Sequence, residues 1–502
     1  MYTKNYLISQ LRAASVGRET EVFAHLMGGE TVTFGALFAG AERMASALVS
    51  CGVVPGDRVA VQVGKTIQAI ELYLGTVMAG GIFLPLNTAY TGPEVAYFVG
   101  DASPRVVVCD PARVDEISAI AGTAQVMTLD PAGRGSLRDL ADTQGGFDPV
   151  AREMGDLAAI LYTSGTTGRS KGAMLSHANL ASNSETLRDY WQFTAQDVLI
   201  HALPIFHTHG LFVATNVALL AGAQVVFLSG FDPDAILEAM PTATALMGVP
   251  TFYTRLLADD RLTPERAANM RLFISGSAPL LVDTHEQWEQ RTGHRILERY
   301  GMTETNMSTS NPYEGERRAG TVGFPLPGVE ARVMDGGTEV VTGDIGVLEV
   351  RGANVFQGYW QMPEKTAEEL RADGWFITGD LAKVDSDGYV TIVGREKDLI
   401  ITGGFNVYPK EVESLIDDLP GVLESAVIGV PHPDFGEGVV AVVVCEGGGT
   451  SVDQIRAALD GQLAKFKQPK HIVLVDALLR NTMGKVQKKA LREEFAGTFT
   501  NG

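Results

Sequence analysis

Hydrophobic and polar positions divide the first part of the chain into alternating blocks. Residues 41–49 and 70–81 carry a helical pattern, whereas residues 57–63 and 104–110 are short apolar runs typical of buried strands. Helices that alternate with short buried strands usually form parallel sheets with crossover helices. The pattern therefore predicts an α/β fold.

Four later apolar runs also predict strands, and each of them ends in small or turn-forming residues. They lie at residues 157–165, 224–230, 244–250 and 270–279. The loops at the ends of such strands are where ligands of α/β sheets usually bind. We therefore expect a ligand site along this edge.

The pattern changes after about Gly394. A short apolar run at residues 398–402, a turn-like segment, a helix that begins with Pro409 and further short strands form a compact α+β unit. Its size of about 100 residues suits a separate small domain. We predict a large N-terminal domain of layered sheets with helices at 1–396 and a small α+β domain at 397–502.

Composition and charge exclude several classes of protein. A chain of 502 residues is too long for one hydrophobic core, so two or more domains are expected. The net charge of −20 opposes binding to nucleic acid or to an anionic membrane, since both are negatively charged. No run approaches the roughly 20 apolar residues that span a bilayer, and the N-terminus lacks the apolar segment of a secretory signal. We expect a soluble, unprocessed protein.

The cysteines give information about the compartment. The chain has Cys51, Cys109 and Cys445, and none of them has CxxC spacing. This predicts neither a zinc site nor a disulfide framework. A reducing cytoplasm fits.

The strongest chemical signal is a loop rich in glycine and hydroxyl groups that follows a buried strand. It spans residues 162–172 and carries Lys171 near its end. Glycines let backbone N–H groups approach phosphate oxygens, hydroxyls donate hydrogen bonds, and lysine supplies positive charge. The loop is not a Walker motif, which requires glycine at the position of Ser170 and serine or threonine at that of Gly172. A polar surface turn is the alternative on composition alone.

Four further segments are weak one by one. Residues 300–304 join an aromatic ring, a glycine, a hydroxyl and a carboxylate. Asp380 ends a segment in which a carboxylate after a tight turn could accept both hydroxyls of a sugar, although an aspartate in a turn also caps its own backbone. The charged stretch 394–398 and the segment 481–485, which ends in Lys485, complete the set.

Together, in this order and spacing, the five segments resemble those of the superfamily that contains acyl-CoA synthetases, nonribosomal peptide adenylation domains and firefly luciferase. The resemblance covers nearly the whole chain. It implies the adenylate-forming enzyme fold with a mobile C-terminal domain. It also implies a two-step reaction, in which ATP and magnesium activate a carboxylic acid as an acyl-adenylate and the acyl group then passes to a thiol, here coenzyme A.

The resemblance also implies a role for each matched residue. In that superfamily the phosphate loop holds the ATP phosphates, two further segments line the adenine site, and an aspartate and an arginine grip the ribose. The corresponding nucleotide-binding residues are Thr163, Ser164, Gly165, Thr166, Thr167, Gly168, Lys171, Gly276, Ser277, Ala278, Pro279, Glu298, Tyr300, Gly301, Met302, Thr303, Asp380 and Arg395. Glu304 and Thr166 would hold magnesium.

Four residues are implied in catalysis. Lys485 would bridge the carboxylate and α-phosphate oxygens and stabilise charge as pyrophosphate leaves. Thr303 would contact the α-phosphate next to Glu304, and His207 would lie beside the reacting carboxylate. For His209 a structural role stays open.

The resemblance further implies a movement of the small domain. Lys397 matches the hinge about which this domain rotates after adenylation, and Gly403, Gly404 and Phe405 would then border the channel of the thiol. Such a rotation explains how one site can carry out two reactions.

Two positions depart from the superfamily pattern. Ile401 stands where many relatives carry lysine, and Leu479 stands where the segment leading to the catalytic lysine usually begins with proline. Neither change removes a reacting group. The second puts in doubt any regulation that reads this proline, such as modification of Lys485 by a lysine acetyltransferase.

The choice of acid depends on two arginines near the expected acyl pocket. Arg255 follows the segment 247–254, and Arg299 stands directly before Tyr300, where many relatives have glycine. A buried arginine costs desolvation free energy unless an anion meets it, and a second carboxylate on the substrate would do so. The alternative is that Arg299 pairs with a neighbour such as Glu298 and that Arg255 points to solvent.

Both arginine segments closely resemble the malonyl-CoA synthetase branch of the superfamily, in which the two arginines face the distal carboxylate. The substrates implied are malonate, ATP and CoA. Methylmalonate is a further substrate if the pocket admits a methyl group, which gives only about 1–3 kcal/mol of discrimination.

Three alternatives stay open. The first is a CoA ligase for another short-chain, fatty or aryl acid, which predicts an apolar acyl pocket. The second is an amino-acid-adenylating unit that feeds a carrier protein, although we expect no carrier domain because the chain ends at Gly502. The third is a nucleotide-binding module without catalysis.

Overall fold

The computed structural model of the chain describes residues 4–163, 170–402, 405–446, 449–460, 462–463, 465–481 and 484–499. Within these ranges the strands form four sheets, named A to D below. The helices are α1 (Tyr6–Ala13), α2 (Phe34–Ser50), α3 (Ile67–Met78), α4 (Gly92–Ala102), α5 (Val114–Ile120), α6 (Ser136–Asp142), α7 (His177–Tyr190), α8 (Asn216–Ala221), α9 (Pro233–Ala239), α10 (Pro250–Leu257), α11 (Val282–Thr292), α12 (Pro363–Glu369), α13 (Pro409–Asp417), α14 (Val452–Leu459) and α15 (Lys488–Glu494). Short 3-10 turns lie at Pro111–Arg113 and Glu396–Asp398, and a π-helical segment lies at His209–Thr215.

Sheets A and B form the N-terminal part and are mainly parallel. Sheet A consists of β1 (Val22–Leu26), β2 (Thr31–Thr33), β9 (Val198–His201), β10 (Gln224–Phe227), β11 (Ala245–Gly248), β12 (Leu272–Ser275), β13 (Leu297–Met302), β14 (Asn306–Ser310) and β15 (Phe324–Pro325). Sheet B consists of β3 (Arg58–Gln62), β4 (Ile82–Pro85), β5 (Val106–Cys109), β6 (Gln125–Thr128), β7 (Leu157–Thr163) and β8 (Lys171–Ser176). The strand orders are β15-β14-β13-β12-β11-β9-β10-β1-β2 and β6-β5-β3-β4-β7-β8. The predicted α/β architecture is confirmed.

One hydrophobic core joins sheets A and B. It contains residues from the strands of both sheets, such as Val108 of β5 and Phe273 of β12, and residues from α1, α2, α3, α7 and α8. A second cluster covers the other face of sheet B, where Phe98 of α4 and Ile117 of α5 pack against Val107. Sheet B is therefore buried on both faces, which explains its near-continuous apolar strands.

The helices begin where the sequence supplies capping groups. The hydroxyls of Thr33 and Thr66 accept hydrogen bonds from backbone N–H groups at the start of α2 and α3. Ser176 and Asn179 form a reciprocal capping box at the start of α7, directly after β8. These side chains satisfy donors that have no partner inside the helix, so each strand-to-helix junction is fixed locally.

Sheet C is the part of the fold that the hydrophobic pattern did not predict. Its strands are β16 (Val329–Asp335), β17 (Thr338–Glu339), β18 (Gly346–Gly352), β19 (Phe376–Val384) and β20 (Val390–Arg395), in the order β17-β16-β18-β19-β20. They are antiparallel throughout, and many of their residues are only half-buried. Sheet C makes Asp380 of β19 and Arg395 of β20 direct cross-strand neighbours.

Sheet D carries the C-terminal α+β unit. Its strands are β21 (Ile400–Thr402), β22 (Phe405–Val407), β23 (Val422–His432), β24 (Gly436–Cys445) and β25 (His471–Val475). Val439, Ala441 and Val443 of β24 pack on the side of α13 and α14, whereas Val440 and Val442 pack on the side of α15. The unit thus has cores of its own, and the boundary predicted at residues 396 and 397 lies inside the 3-10 turn just before β21.

Two further findings concern the whole described part of the chain. None of its helices is long and apolar enough to cross a membrane. Cys51, Cys109 and Cys445 are free, and the first two are buried.

Candidate active site

Tyr300, Asp380 and Arg395 come together at the edge between sheets A and C. The Tyr300 hydroxyl donates to Asp380 Oδ2 at 2.5 Å, and Arg395 Nε lies 2.7 Å from Asp380 Oδ1. Asp380 is 4% exposed. Burial raises the pKa of its carboxyl, and the nearby Arg395 guanidinium opposes that shift. The Asp380 carboxylate therefore joins two sequence-predicted nucleotide residues across two sheets and does more than cap its own turn.

A bulge between Tyr300 and Gly301 sets the path of this segment. A Cβ atom on Gly301 would lie 1.9 Å from the backbone oxygen of Asn306, so no other residue fits there without a backbone shift. After the bulge the chain turns, which leaves Thr303 half-buried and Glu304 buried. The segment that the sequence analysis singled out at residues 300–304 thus forms a bulge followed by a tight turn.

The two ends of the predicted phosphate loop meet on the β7–β8 hairpin. Thr163 and Lys171 are cross-strand partners, and the Tyr97 hydroxyl donates to the backbone oxygen of Ser170 at 2.8 Å. These contacts hold both stems of the loop against sheet B. The predicted phosphate contacts Ser164, Gly165, Thr166, Thr167 and Gly168 lie outside the described residues.

Lys171 belongs to a network that the sequence analysis missed. Its Nζ donates to both carboxylate oxygens of Glu369 at 3.1 Å and to the Tyr359 hydroxyl at 3.1 Å. The Tyr359 hydroxyl also lies 3.0 Å from Oε1 of Glu304 and 2.5 Å from Glu369 Oε2. Tyr359 therefore connects the phosphate-loop lysine with the predicted magnesium ligand. Glu369 is 198 residues from Lys171 in sequence, and no motif indicated the contact.

Glu304 fits the role of a magnesium ligand. Its carboxylate is a hard oxygen donor, as Mg²⁺ requires, and burial raises its pKa. Mg²⁺ usually binds one or two carboxylates and otherwise retains water and substrate phosphates. The described residues contain no group of three or more His, Cys, Asp or Glu side chains that could hold a metal ion.

Arg299 is buried and forms no ion pair with another described residue. It lies in β13 and is 2% exposed, and its Nε and Nη2 have no hydrogen-bond partner among the described residues. Burial lowers its pKa to about 9, so the guanidinium stays charged at neutral pH. A buried polar atom without a partner costs roughly 1–3 kcal/mol, and more when it is charged.

Glu298 does not pair with Arg299. Adjacent residues of a strand point to opposite faces, and Oε1 of Glu298 accepts instead from the backbone N–H of Leu280 at 3.2 Å. Burial raises the pKa of Glu298 to about 8, and Lys410 and Arg299 oppose that shift. The two neighbours therefore interact electrostatically, but they form neither the hydrogen bond nor the ion pair of the alternative.

Two histidines lie near Arg299. Burial, Lys485 and Arg299 together lower the pKa of His207 to about 3, so His207 is neutral at physiological pH. The Ser277 hydroxyl lies 3.3 Å from Nδ1 of the buried His209, and Ser277 holds a left-handed backbone with φ of 71°. Such strain in a residue other than glycine is typical of functional sites. The Ser277 contact supports a positioning role for His209.

Arg255 occupies a different environment. It is exposed on α10, and its guanidinium lies 5.5 Å from the centre of the Phe231 ring. The structure thus brings Arg299 to the site. Arg255 faces solvent, as the alternative given for the two arginines expects.

The C-terminal unit delivers Lys485 to the cleft between the nucleotide and acyl sides. Its backbone N–H donates to Asn481 Oδ1 at 3.0 Å in a tight turn. Desolvation and then Arg395 lower the pKa of Lys485, while Asp380 and Glu304 oppose that shift. The Lys485 side chain is exposed to solvent. Lys485 therefore lies within electrostatic reach of both halves of the site.

The surroundings of Lys397 and Phe405 can also be described. Lys397 lies in the 3-10 turn before sheet D, and desolvation followed by Arg395 lowers its pKa to about 8. Phe405 is 56% exposed and stacks on Phe466 with 4.7 Å between ring centres. Gly403 and Gly404 lie outside the described residues. Ala278 and Pro279 follow Ser277 in the loop after β12.

Solved structures were compared with this arrangement. ATP-bound MatB from Rhodopseudomonas palustris is 60% identical, matches 99% of this chain and 100% of its own, and superposes with a TM-score of 0.97. Apo MatB from the same organism gives a TM-score of 0.86 at the same identity. The arrangement seen here is therefore closer to that of the ATP-bound structure.

Curated relatives match most of the chain as well. The malonate–CoA ligase of Arabidopsis thaliana is 34% identical over 479 residues, 88% of this chain and 78% of the relative. A feruloyl-CoA synthase of an Amycolatopsis species is 36% identical over 474 residues, 93% of this chain and 95% of the relative. Residues 11–360 match the AMP-binding enzyme family, and residues 411–485 match the AMP-binding enzyme C-terminal domain. The chain belongs to the AMP-binding enzyme family.

Proposed function

We propose that this chain is a malonyl-CoA synthetase, an AMP-forming acid–thiol ligase. It joins malonate to CoA through a malonyl-adenylate and releases AMP and pyrophosphate. The observation that carries the choice of acid is the buried guanidinium of Arg299, whose Nε and Nη2 lack a partner among the described residues. The malonate–CoA ligase relative supports the same choice.

The distal carboxylate of malonate completes the surroundings of Arg299. A second carboxylate would satisfy the free N–H groups and offset the desolvation of the charge, whereas a monocarboxylate with an apolar tail would leave both costs in place. Glu298 accepts a hydrogen bond from the backbone N–H of Leu280 and leaves Nε and Nη2 of Arg299 without a partner among the described residues. A dicarboxylate as short as malonate requires cations close to the reacting centre, and Arg299 and Lys485 are near enough to interact electrostatically. Arg255 is a second candidate for this contact, but its guanidinium is exposed and lies against Phe231.

The first half-reaction forms the adenylate. A carboxylate oxygen of malonate attacks the α-phosphorus of ATP in line, and the bond from that phosphorus to pyrophosphate breaks. We assign to Lys485 the stabilisation of charge that develops on the carboxylate and α-phosphate oxygens, with Thr303 as a further contact. Neutral His207 does not add repulsion to the two nearby cations.

The nucleotide-binding groups act by positioning. Asp380, held by Tyr300 and Arg395, offers its carboxylate to the ribose hydroxyls, and Lys171 offers its ammonium to the terminal phosphates. Glu304 would hold magnesium. When bound, magnesium offsets negative charge on the pyrophosphate leaving group.

The second half-reaction forms the thioester. The CoA thiolate attacks the carbonyl carbon of malonyl-adenylate, the bond from that carbon to AMP breaks, and the thiol proton passes to solvent. We propose that domains 1–396 and 397–502 rotate about Lys397 between the halves, which withdraws Lys485 and brings Phe405 toward the channel. The different TM-scores of the ATP-bound and apo relatives support such a rotation.

Two finer proposals concern the setting of the enzyme. The three free cysteines suit a reducing compartment, and we propose the cytoplasm. We also propose Lys485 as a target for a lysine acetyltransferase, because modification of its ammonium would abolish adenylation. Leu479, in place of the usual proline, argues against an enzyme that reads that proline.

The test is a panel of acids assayed by pyrophosphate release that depends on ATP and CoA. Malonate, methylmalonate, acetate, butyrate, benzoate and ferulate are compared at equal concentration. We expect the largest kcat/KM for malonate. Equal or faster turnover of a monocarboxylate would contradict the assignment, and preference for ferulate would favour the activity of the feruloyl-CoA synthase relative.

A further inference from the structure

We propose that Gly276 leaves the space in which the Arg299 guanidinium lies and is thereby a determinant of dicarboxylate specificity. The inference rests on the proposed function, because it concerns how Arg299 is held for the distal carboxylate. The superfamily resemblance assigned Gly276 to the adenine site. Its contacts in this chain point instead to a positioning role on the acyl side.

The strand register brings the two residues together. Sheet A pairs β12 with β13 in parallel, and Ile274 lies opposite Leu297 while Ser275 lies opposite Glu298. One step further along, Gly276 lies beside Arg299. Side chains at such paired positions are neighbours on one face of a sheet, so the Arg299 side chain can lie over a residue that has no side chain of its own.

The distances show how closely the guanidinium lies on this glycine. A Cβ atom on Gly276 would be 2.4 Å from Cζ, 2.5 Å from Nη1 and 2.6 Å from Nε of Arg299. Such distances are well below van der Waals contact. Any side chain at position 276 would therefore occupy the space that the guanidinium fills.

The backbone gives no other reason for glycine at this position. Gly276 is absent from the residues with positive φ, so its conformation is open to any residue. Gly301 differs, since its Cβ would meet a backbone oxygen that cannot move easily. At Gly276 the obstacle is the end of a flexible side chain. A methyl group there would displace the guanidinium and leave the fold intact.

A second fixed group lies near the guanidinium. Tyr253 is fully buried, and its hydroxyl donates to the backbone oxygen of Ile274 at 2.5 Å. An electrostatic interaction between Tyr253 and Arg299 indicates that the two side chains are near each other. A guanidinium pushed from Gly276 would move away from the position in which we propose that it meets the distal carboxylate, which should weaken the binding of malonate.

The experiment uses Gly276→Ala in the full-length enzyme, with Gly230→Ala as the matched control. Gly230 follows strand β10 of the same sheet, has no positive φ, and would place no Cβ within 4 Å of another group. We expect Gly276→Ala to keep its thermal midpoint and its KM for ATP while its KM for malonate rises about 10-fold or more. At saturating malonate its kcat should be largely retained. Gly230→Ala should match the wild type.

A double variant separates this inference from the proposed function. If Gly276 acts through Arg299, adding Gly276→Ala to Arg299→Ala causes no further loss of malonate turnover. A further loss in the double variant, or a raised KM for ATP in Gly276→Ala, would place the effect at the nucleotide and overturn the inference. If Arg299→Ala alone leaves malonate kinetics unchanged, the proposed function fails. If Arg299→Ala impairs malonate turnover while Gly276→Ala behaves as Gly230→Ala, the role of Gly276 is refuted and the proposed function stands.

Discussion

The nucleotide side and the acyl side of the active site differ in whether their cations are paired with carboxylates of the protein. On the nucleotide side Arg395 pairs with Asp380, and Lys171 pairs with Glu369, so each cation has a carboxylate of the protein within 3.1 Å. On the acyl side Arg299 is more deeply buried than either cation, yet its Nε and Nη2 find no partner in the described part of the chain.

This difference indicates which kind of substrate each side binds. A paired cation is stable before the ligand arrives and can exchange its partner for a phosphate, so it suits a substrate that all members of the family share. A buried cation without a partner raises the free energy of the folded state until an anion arrives. Natural proteins usually break packing and pairing rules at functional sites. The selectivity for a dicarboxylate therefore lies at Arg299.

Lys485 lies between the two sides, and its removal should have the largest effect. Lys485→Ala should lower the rate of adenylation by about 100- to 1000-fold, as removal of a preorganised charge-stabilising group does. Thioester formation from supplied malonyl-adenylate and CoA should persist, because Lys485 takes no part in that half. Pyrophosphate release and thioester formation are measured separately. Equal loss in both halves would contradict the rotation of the C-terminal domain.

Asp380→Asn tests the nucleotide side alone. The change weakens the contacts of the carboxylate with Arg395 and Tyr300 and with the ribose hydroxyls, and hydrogen bonds to charged groups contribute about 1.5–3 kcal/mol each. We expect the KM for ATP to rise at least about 10-fold. The KM for malonate should stay within a factor of about two, since Arg299 is untouched. A parallel rise of both values would show that the two sides are not independent.

Glu298→Gln tests whether Arg299 really lacks a counter-charge. Burial raises the pKa of Glu298 from 4.5 in a free chain to about 8, so its protonated form is favoured by folding. That contribution to stability is complete below about pH 4.5 and is lost as the pH rises to about 8. Between pH 5 and 8 the wild type should lose up to about 3 kcal/mol relative to Glu298→Gln. Thermal midpoints across this range measure the difference, and parallel profiles would mean that Glu298 is ionised and available to Arg299.

Glu369→Gln should have the smallest effect. The substitution removes the charge that Lys171 meets before ATP binds, in a partly exposed pair that contributes at most about 1 kcal/mol. The KM for ATP should fall by a factor of about two to five, because Lys171 is then free to meet phosphate. Steady-state kinetics at low ATP measure it. A rise in this KM would show that Glu369 supports the bound state.

The sequence predicted those parts of the site that follow from local motifs. Tyr300, Asp380, Arg395 and Lys485 lie in segments whose order and spacing indicate a nucleotide site, and the structure brings them together. The parallel strands of sheets A and B could also be predicted, because their buried faces are nearly continuous apolar runs.

Other features could not be predicted, because they depend on distant pairing. Sheet C mixes half-buried and polar positions, so its strands gave no clear period, yet it makes Asp380 and Arg395 neighbours. Tyr359 reaches Lys171 because it forms a backbone bridge with Ala173 of β8, and Glu369 reaches it from the end of α12. The cost of burial indicates that an anion should meet Arg299, but only the structure shows that its Nε and Nη2 have no partner among the described residues and that Arg255 is exposed.

The most direct test of the account compares Arg299→Ala with the wild type on two acids. The ratio of kcat/KM for malonate to kcat/KM for acetate is measured by pyrophosphate release at saturating ATP and CoA. Truncation of a buried charge partner costs about 2–5 kcal/mol, so the ratio should fall about 100-fold, with the thermal midpoint equal to or above that of the wild type because a buried charge is gone. An unchanged ratio would contradict the assignment of dicarboxylate selectivity to Arg299.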